Sequence, residues 1–423
     1  MPSSEVTFAI LLDAWKYGCI NPTDTPFLWS LQQEGIWGAV VEPLAFQTRP
    51  AFFAGLWPDE SNICHLFWYD PEGSPYRFTR YLPLPEWIRR VPKLRGLIHR
   101  GLRSLARRNE RRRGHSASAL YAQPWQVPYR LLRYFAYSER YLIWQPGALP
   151  RPTLFDVLRQ HGLPWLWLGY PGHDQHTQAL LHAFRQRIRP EHRFVYLHFA
   201  ELDWTGHRYG PESRRYRETL KELDGAVETV CRRLGQMFDR VNGVIFGDHG
   251  MVSIRRLVDV EAALRQTGLR VPRDYVYFLD STQARFWFQH ERARRVTEET
   301  LSSLEGGRIL RLEEYERLHI RFGHDRFGQL VFIADGHTLI FPNFFQRLEP
   351  ARGMHGYLPD VQDNWAHYVI VNGPHDVPRG EVLQPVPMVD LFPTFLELLQ
   401  LPIPKNSHER SILQRARQHG AKR

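Results

Sequence analysis

The hydrophobic residues of the chain group into short continuous runs, and longer amphipathic segments separate these runs. The runs are rich in β-branched and aromatic residues and cover residues 6–12, 38–43, 164–168, 193–200 and 243–246. Continuous apolar runs of this length predict strands that are buried on both faces, as in a parallel sheet. Helix start and stop signals or helical periodicity mark residues 27–35, 50–56, 153–162 and 212–235. This strand–helix alternation predicts an α/β sandwich.

Two segments interrupt the alternation. Residues 65–150 are dominated by aromatics, prolines and arginines, and we interpret them as an insertion over the core. Residues 256–345 alternate helices with aromatic-rich strands such as DYVYFLD, ARFWFQ and LVFIAD, which predicts a small α+β subdomain inserted within the core. The chain then returns with the strand-like HYVIVNGP and the helix-like MVDLFPTFLELLQL. We therefore expect the core to comprise residues 1–64 and 151–423, interrupted by this subdomain.

A basic stretch accounts for much of the charge. The chain has 55 lysines and arginines against 45 acidic residues, a net charge of +10, and much of the excess lies between Arg89 and Arg113. Apolar residues recur there at helical steps, at Val91, Leu94, Ile98, Leu102 and Leu105. This pattern predicts a basic amphipathic helix, although Gly96 and Gly101 weaken the prediction. The helix either packs its apolar stripe on the core or makes peripheral contact with an anionic membrane. Nucleic acid is disfavoured as a partner, because no recognised binding module is visible.

The cysteines and the N-terminal residues bear on the compartment. Cys19, Cys64 and Cys231 are an odd number without close spacing, which argues against a disulfide framework and against a cysteine-based metal site. The apolar run from Phe8 to Leu12 is too short for the core of a signal peptide. No run approaches the roughly 20 apolar residues that a membrane span needs. We expect a cytoplasmic protein, with peripheral membrane contact as an added option.

Acidic residues follow three of the predicted strands. Asp13, Asp203 and Asp248 each come after the carboxyl end of an apolar run, which is the edge where open α/β sheets bind ligands. Three carboxylates meeting there would repel each other unless cations intervene. Histidines accompany them at His207, His249 and His355. Mixed Asp/His sets suit Zn²⁺ or Mn²⁺ better than Mg²⁺ or Ca²⁺. Each residue alone also has a structural interpretation, for instance an aspartate as a helix cap or turn residue.

The order of these blocks resembles a known family. The blocks are LLDAW, TPFLWSLQQEGIWG, TRPAFFAGLWPDES, ELDWTGHRYG, IFGDHGM, GMHGYLPD and VDLFPTFLELLQLPIP. In this order they resemble the type I phosphodiesterase/nucleotide pyrophosphatase branch of the alkaline phosphatase superfamily. The resemblance implies a three-layer α/β sandwich with a mostly parallel central sheet and inserted cap segments. It also implies a metal-dependent hydrolase of phosphate esters.

The resemblance further implies how the metals are held. One divalent ion would be bound by Asp13, Asp248, His249 and the oxygen of the nucleophile. The second would be bound by Asp203, His207 and His355. Zinc is the expected metal, with manganese as the alternative. Two such cations clamp the attacking and the leaving oxygens of an in-line displacement.

Thr48 is the candidate nucleophile, and Arg49 beside it is a candidate contact for phosphoryl oxygens. Thr48 precedes a short predicted helix that ends near Gly55. The family places its nucleophile about one turn further upstream, and strict counting from Gly55 leads to Ala45. Either this helix is a turn shorter and Thr48 is catalytic, or Thr48 is a helix cap and the usual nucleophile is missing. The sulfatase pattern is absent from the sequence.

Three functions remain open at this point. The first is a phosphodiesterase or nucleotide pyrophosphatase that forms a phosphoryl-enzyme intermediate and acts on a small nucleotide-linked or lipid-linked phosphate ester. The second is a phosphomonoesterase or phosphonate hydrolase with the same site. The third is a non-catalytic protein at a membrane surface that retains the metal scaffold. We expect the insertion over residues 65–150 to cover the site and to determine the substrate.

Overall fold

The strands follow the predicted apolar runs, and several short strands are added to them. The computed structural model describes residues 4–82, 84–172, 176–372, 377–404 and 410–419. In chain order the strands of these residues are β1 (Glu5–Leu12), β2 (Ile36–Val41), β3 (Phe67–Tyr69), β4 (Phe135–Tyr137), β5 (Trp165–Leu168), β6 (Phe194–Phe199), β7 (Arg240–Phe246), β8 (Val252–Ser253), β9 (Arg256–Val258), β10 (Tyr275–Leu279), β11 (Gln283–Phe288), β12 (Gly307–Ile309), β13 (Leu330–Ala334), β14 (Thr338–Ile340), β15 (Gly353–Met354), β16 (Ala366–Val371) and β17 (Gly380–Pro387).

Helices connect most of these strands. They are α1 (Pro26–Glu34), α2 (Arg49–Ala54), α3 (Pro58–Ser61), α4 (Pro92–Arg112), α5 (Ser116–Tyr121), α6 (Tyr129–Leu132), α7 (Leu154–Gln160), α8 (Thr177–Arg187), α9 (Glu201–Tyr209), α10 (Arg214–Met237), α11 (Val260–Arg265), α12 (Glu291–Ser302), α13 (Leu312–Arg317), α14 (Leu391–Leu398) and α15 (Ile412–His419). Side-chain caps begin α7 at Thr153 and α10 at Ser213. Among the described residues, no helix combines the length and the apolar character needed to cross a bilayer.

The central sheet contains seven strands of the described residues, in the order β17–β2–β16–β7–β1–β6–β5. Neighbouring strands are parallel except at β16, which is antiparallel to both β2 and β7. Strand β1 lies between β6 and β7, with Leu12 opposite Phe199 and Leu11 opposite Phe246. The carboxyl ends of these three strands therefore meet at one edge, next to the acidic residues that follow them.

Helices cover both faces of the sheet. Ala9 and Leu11 of β1 pack into one core with α2, α7, α14 and α15, whereas Phe8 and Ile10 pack into a second core with α1, α8 and α10. This alternation is what a strand that is buried on both faces requires. The predicted α/β three-layer sandwich with a mostly parallel central sheet is confirmed.

The insertion and the subdomain share a third core. Strands β10, β11, β13 and β12 form an antiparallel sheet, and the β3–β4 pair lies beside it. Phe67 and Phe135 of the insertion contact Phe278 of the subdomain, at ring-centroid distances of 5.4 and 5.0 Å. The two segments therefore fold against each other, although about 140 residues or more separate these partners in the chain.

Helix α4 corresponds to the predicted basic helix, and it continues without a break through Gly96 and Gly101. Both glycines face open space, so neither is needed for a close contact. Of the predicted apolar stripe, Leu102 is buried and Ile98 is half-buried, but Val91, Leu94 and Leu105 are exposed. Only part of the apolar stripe therefore packs on the rest of the protein, whereas the sequence pattern allowed packing of the whole stripe.

One buried histidine stabilises the sheet only in its neutral form. His367 of β16 is 1% exposed and lies against the rings of Trp15, Tyr17 and Trp37, at centroid distances of 4.7, 5.5 and 5.7 Å. Neither ring nitrogen has a hydrogen-bond partner among the residues that the structure describes. Burial lowers the pKa of His367 to about 3, because a charged ring would lose its hydration without gaining a counter-ion.

This environment predicts acid sensitivity. Because the folded-state pKa is depressed, the stability contributed by neutral His367 is present above about pH 6.5 and is lost as pH falls toward 3. Between pH 7 and pH 4.5 the loss should be about 2–3 kcal/mol. We therefore expect the free energy of unfolding of the His367→Phe protein to fall by about 2–3 kcal/mol less than that of the parent between pH 7 and pH 4.5. Urea unfolding of the metal-free proteins measures this difference. The control His182→Phe, at an exposed position, should behave like the parent chain. Equal acid sensitivity of the His367→Phe protein and the parent would contradict the assignment.

Candidate metal centre

The edge of the central sheet brings the six predicted ligands together. Asp13 follows β1 directly, and Asp248 follows β7 after one glycine. Asp203 lies in the first turn of α9, directly after β6, and His207 lies one turn later on the same helix face. The antiparallel pairing of β8 with β15 brings the segment after His249 alongside the segment before His355. The side chains form two groups of three: Asp13, Asp248 and His249; Asp203, His207 and His355.

The two groups are adjacent to each other. In each group the candidate ligand atoms all lie within 4.8 Å of one another. His249 Nε2 is 3.3 Å from Asp13 Oδ1 and 3.7 Å from Asp248 Oδ1, whereas His207 Nε2 is 3.1 Å from Asp203 Oδ1. The rings of His249 and His355 stack with centroids 3.5 Å apart and planes 4° from parallel. The sites are therefore neighbours that touch through these two rings.

The donor atoms fit divalent metal ions. Ligand atoms around a tetrahedral zinc lie about 3.4 Å apart, given bonds of about 2.1 Å, and the observed separations are of this order. Asp203 Oδ1 is buried, and its contact with His207 Nε2 at 3.1 Å does not have hydrogen-bond geometry; His355 Nδ1 has no hydrogen-bond partner among the described residues. A buried carboxylate oxygen without a donor is unfavourable unless a cation satisfies it. The mixture of carboxylate and imidazole donors is one that zinc accepts readily.

Electrostatics within the centre also favour cations. Burial and the neighbouring charge of Asp13 raise the pKa of Asp248 to about 6. Burial and the adjacent rings of His249 and His207 hold the pKa of His355 well below its usual range, so this imidazole is neutral. A neutral imidazole is the form that binds a metal. Metal ions would remove the repulsion that keeps the pKa of Asp248 high.

His198 is a polar contributor that the sequence patterns did not reveal. It lies in β6, inside an apolar run, and its Nε2 is 2.8 Å from Asp13 Oδ2. Its Nδ1 is 3.2 Å from the carbonyl oxygen of Tyr170. Both partners are acceptors, so this arrangement favours donation by both ring nitrogens. Burial opposes the resulting positive charge most strongly, but the hydrogen bond to Asp13 and the charges of Asp13 and Asp248 together outweigh it and raise the pKa of His198. His198 thereby orients the Asp13 carboxylate.

Glu42 is a second contributor that sequence reasoning missed. It follows β2 directly, just as Asp13 follows β1, so the strand-end criterion would have found it. Glu42 Oε1 accepts hydrogen bonds from Asn364 Nδ2 at 2.6 Å and from the backbone N–H of Gly356 at 3.3 Å. Burial raises the pKa of Glu42 to about 8. Since Gly356 follows His355, these bonds hold the loop that carries this histidine.

Thr48 occupies the N-cap position of α2 but does not cap the helix. Its φ and ψ are −86° and −14°, and its hydroxyl makes no side-chain cap hydrogen bond. The Thr48 side chain therefore makes no cap bond in this structure, and the choice between a nucleophile and a cap stays a prediction. Ala45 is 1% exposed and packs in a hydrophobic cluster with Leu44 and Cys64. Between the two, the ring of Phe46 lies against His355 with centroids 5.3 Å apart, so this loop passes beside the centre.

Arg49 is paired within the protein. Its NH2 lies 2.8 Å from Glu139 Oε2, and its guanidinium lies near the rings of Tyr121 and Tyr170, 5.7 and 5.4 Å from their centroids. Tyr121 and Glu139 belong to the insertion, which thus reaches the residue beside Thr48. Arg49 is 8% exposed, so its charge is desolvated and compensated by Glu139. An anionic ligand would have to share Arg49 with this carboxylate.

The family of the chain follows from comparison with known proteins. The family model for type I phosphodiesterase/nucleotide pyrophosphatase matches residues 7–358. The chain therefore belongs to the type I phosphodiesterase/nucleotide pyrophosphatase family, as the order of the sequence blocks predicted.

Individual relatives agree with this placement. Ectonucleotide pyrophosphatase/phosphodiesterase family member 7 of Mus musculus is 36% identical over 265 residues, 58% of this chain and 50% of the relative. Bis(5'-adenosyl)-triphosphatase ENPP4 of Homo sapiens is 24% identical over 227 residues, 51% of this chain and 47% of the relative. The matches thus span about half the length of these curated relatives.

Solved structures share the fold. Murine ectonucleotide pyrophosphatase/phosphodiesterase 5, solved as an inactive threonine-to-alanine variant in complex with AMP, superimposes with a TM-score of 0.69 at 14% identity. The superposition covers 98% of this chain and 99% of the murine chain. The human counterpart superimposes with a TM-score of 0.66 at 14% identity, covering 98% of this chain and 99% of its own. At this level of identity the likeness establishes the fold.

The buried pair of Arg49 and Glu139 predicts a large effect on stability. Glu139→Gln removes the charge that compensates a desolvated guanidinium, so the free energy of unfolding should fall by about 3–5 kcal/mol. The double variant Arg49→Met/Glu139→Leu should recover most of this loss, because no buried charge is left unpaired. The control Glu218→Gln breaks an exposed pair with Arg214 and should leave stability nearly unchanged, because solvent screens that pair. Urea unfolding followed by circular dichroism measures all three variants. Unchanged stability of the Glu139→Gln protein would refute the role of this pair.

Proposed function

We propose that this protein is a two-metal-dependent hydrolase of phosphate esters that acts as a phosphodiesterase or nucleotide pyrophosphatase through Thr48. The observation that carries the proposal is the pair of adjacent Asp/His groups, joined by the parallel rings of His249 and His355 at 3.5 Å. Two adjacent cation sites suit an in-line displacement at phosphorus, because charge develops on both the attacking and the leaving oxygen.

The proposed metals are two divalent ions, with zinc favoured and manganese as the alternative. Asp13, Asp248 and His249, together with Thr48, would hold one ion, and Asp203, His207 and His355 would hold the other. When bound, the ions supply Lewis-acid stabilisation of the attacking oxygen, the leaving oxygen and the phosphoryl group. The order of the sequence blocks and the buried, unsatisfied oxygen of Asp203 support this assignment.

The protein's own residues perform the covalent steps. Thr48 Oγ1 attacks phosphorus as the bond to the leaving oxygen breaks, and the proton lost by the hydroxyl balances the one that the leaving oxygen gains. Water then cleaves the Thr48–phosphoryl bond and regenerates the hydroxyl. His198 holds Asp13 in place, and Glu42 holds the loop of His355. In this proposal Arg49 remains paired with Glu139 and shares its guanidinium with the phosphoryl group. Its main role is then to position the start of α2.

The proposed substrate is a small nucleotide-linked or lipid-linked phosphate ester. A nucleotide is supported by the bis(5'-adenosyl)-triphosphatase relative and by the murine neighbour that was solved with AMP. A phosphomonoester or phosphonate would use the same metal centre and is the alternative. The cytoplasmic location expected from the sequence stays a prediction.

A non-catalytic role is the competing function. The family spacing points to Ala45, which has no hydroxyl group and packs among apolar side chains. The murine neighbour is described as inactive when a threonine is replaced by alanine. If Thr48 does not replace the usual nucleophile, this chain would keep the metal scaffold without turnover.

Metal content provides the first test. We expect about two zinc or manganese ions per chain in the purified protein, by elemental analysis. Asp203→Asn/His355→Ala should lose about one ion, and Asp248→Asn/His249→Ala should lose the other. His182→Ala, at an exposed histidine, should lose none. Chelation should abolish hydrolysis of bis-p-nitrophenyl phosphate, and added zinc should restore it. Full metal content in both double variants would reject these ligands.

Turnover of Thr48 variants provides the second test. Thr48→Ala should keep both metals and lower kcat by several orders of magnitude, because the covalent route is closed. Thr48→Ser should keep most of the activity, and the control Thr229→Ala, at a half-buried position in α10, should be unaffected. The double variant Ala45→Thr/Thr48→Ala tests whether the nucleophile belongs at position 45, to which the family spacing leads. Activity that returns only in this double variant would identify position 45 as the nucleophile site. Near-normal activity of the folded, metal-loaded Thr48→Ala protein would reject Thr48.

A further inference from the structure

The net charge of the whole protein is concentrated in one helix and the residues that flank it. Between Arg89 and Arg113 the chain has eleven lysines and arginines and a single acidic residue, Glu110. The rest of the chain then has 44 basic and 44 acidic residues, so it is neutral. Helix α4 spans most of this stretch. A protein that is otherwise neutral thus presents one strongly cationic surface.

Exposed apolar side chains concentrate in the same place. Of the fifteen large hydrophobic residues exposed in the described part of the chain, eight lie between residues 81 and 120. Leu97 is 63% exposed and Trp87 is 57% exposed. Leu94, Leu97 and Leu105 lie within an arc of about 80° on α4, at 100° per residue. An exposed apolar patch of this kind marks an interaction site.

The arginines belong to the same outward face. Arg108 and Arg112 lie within the arc of the exposed leucines, and Arg111 borders it. The opposite side of the helix, with Leu102, Ala106 and Glu110, is buried against the protein. We call the outward side of α4 together with Trp87 the α4 face. Leu94 and Leu97 lie in the first half of the helix, Leu105 lies in the second half, and Arg108, Arg111 and Arg112 lie near the end.

The positive charge of the α4 face is not neutralised within the protein. Arg100, Arg108, Arg111 and Arg112 have no ion pair with a carboxylate in the part of the chain that the structure describes. Six arginines line a shallow concavity along the helix, and no acidic residue lines it. Mutual repulsion of these charges is relieved by an anionic partner.

We propose that the α4 face docks the protein on an anionic lipid bilayer. Arginines attract acidic headgroups, and exposed leucines and a tryptophan enter the boundary between headgroups and acyl chains. Nucleic acid would account for the arginines but not for the leucines beside them. The helix lies in the membrane plane, because its buried side is fixed to the insertion through α5 and the Asn109 bond to Pro75.

The docking face is connected to the segment that carries Thr48 through a series of contacts. Helix α5 packs against α4 and carries Tyr121, which contacts Arg49 beside Thr48. The binding itself does not depend on turnover, so it is tested separately from the proposed function.

Vesicle flotation of the full chain tests the proposal. We expect binding to vesicles of phosphatidylcholine with about one third phosphatidylserine, at least about tenfold stronger than to phosphatidylcholine alone. Raising the salt from 0.1 to 1 M should release the protein, because the screening length falls from about 10 to about 3 Å. Equal binding to both kinds of vesicle would overturn the proposal.

Matched variants locate the contact. Arg108→Gln/Arg111→Gln/Arg112→Gln should weaken binding about a hundredfold. The control Arg185→Gln/Arg292→Gln/Arg295→Gln removes the same charge from exposed positions elsewhere and should bind nearly as before. Leu94→Ser/Leu97→Ser should weaken binding about tenfold or more, whereas Leu257→Ser/Leu312→Ser should not. All four proteins should unfold at the same urea concentration, because the changed residues are exposed.

Two further results would overturn the proposal. The first is equal loss of binding in the arginine variant and in its control, which would indicate an effect of net charge alone. The second is loss in the arginine variant with none in the leucine variant, combined with full displacement from vesicles by a short RNA duplex. That combination would identify the α4 face as a nucleic-acid surface.

Discussion

The site depends on holding three carboxylates and three imidazoles in a buried space where like charges repel. The fold imposes this crowding, because three adjacent strands deliver Asp13, Asp203 and Asp248 to one edge of the sheet. His198 and Glu42 then fix the positions of Asp13 and of the His355 loop from outside the two groups. Without cations, the protein tolerates the arrangement only by shifting protons, as the raised pKa of Asp248 indicates. Such an arrangement is stable in its ionised form when positive ions complete it.

Much of the sheet and of the candidate site could be predicted because both depend on local patterns. Apolar runs of four to eight residues mark the buried strands, and the residues that follow parallel strands share one edge. The residues that were missed act through partners distant in sequence. His198 looks like part of an apolar strand, and its role appears only when β1 lies beside β6. Glu139 is one of many acids in an irregular segment, and nothing near it indicates that it pairs with Arg49, 90 residues earlier.

The insertion shows a different reason for incomplete prediction. Its basic helix was recognisable from its period, and glycines on the open side did not interrupt it. How much of its apolar stripe is buried could not be predicted, because this depends on the shape of α5 and the neighbouring loops. Likewise, residues 65–150 and 256–345 share a core whose two halves are far apart in the chain. Thr48 shows that a residue type typical of helix caps can occupy the N-cap position without forming the cap bond.

The short pairing of β8 with β15 has a consequence for how such proteins diversify. The subdomain leaves the core just after His249 and returns just before His355, and the two-residue ladder ties these ends together. Loop-closure entropy grows only slowly with length, by about 0.6 kcal/mol for each doubling. A descendant could therefore lengthen, shorten or exchange the excursion between these two histidines while their spacing stayed fixed. The β8–β15 pairing thus allows the segment between the two histidines to vary while the distance between His249 and His355 is kept.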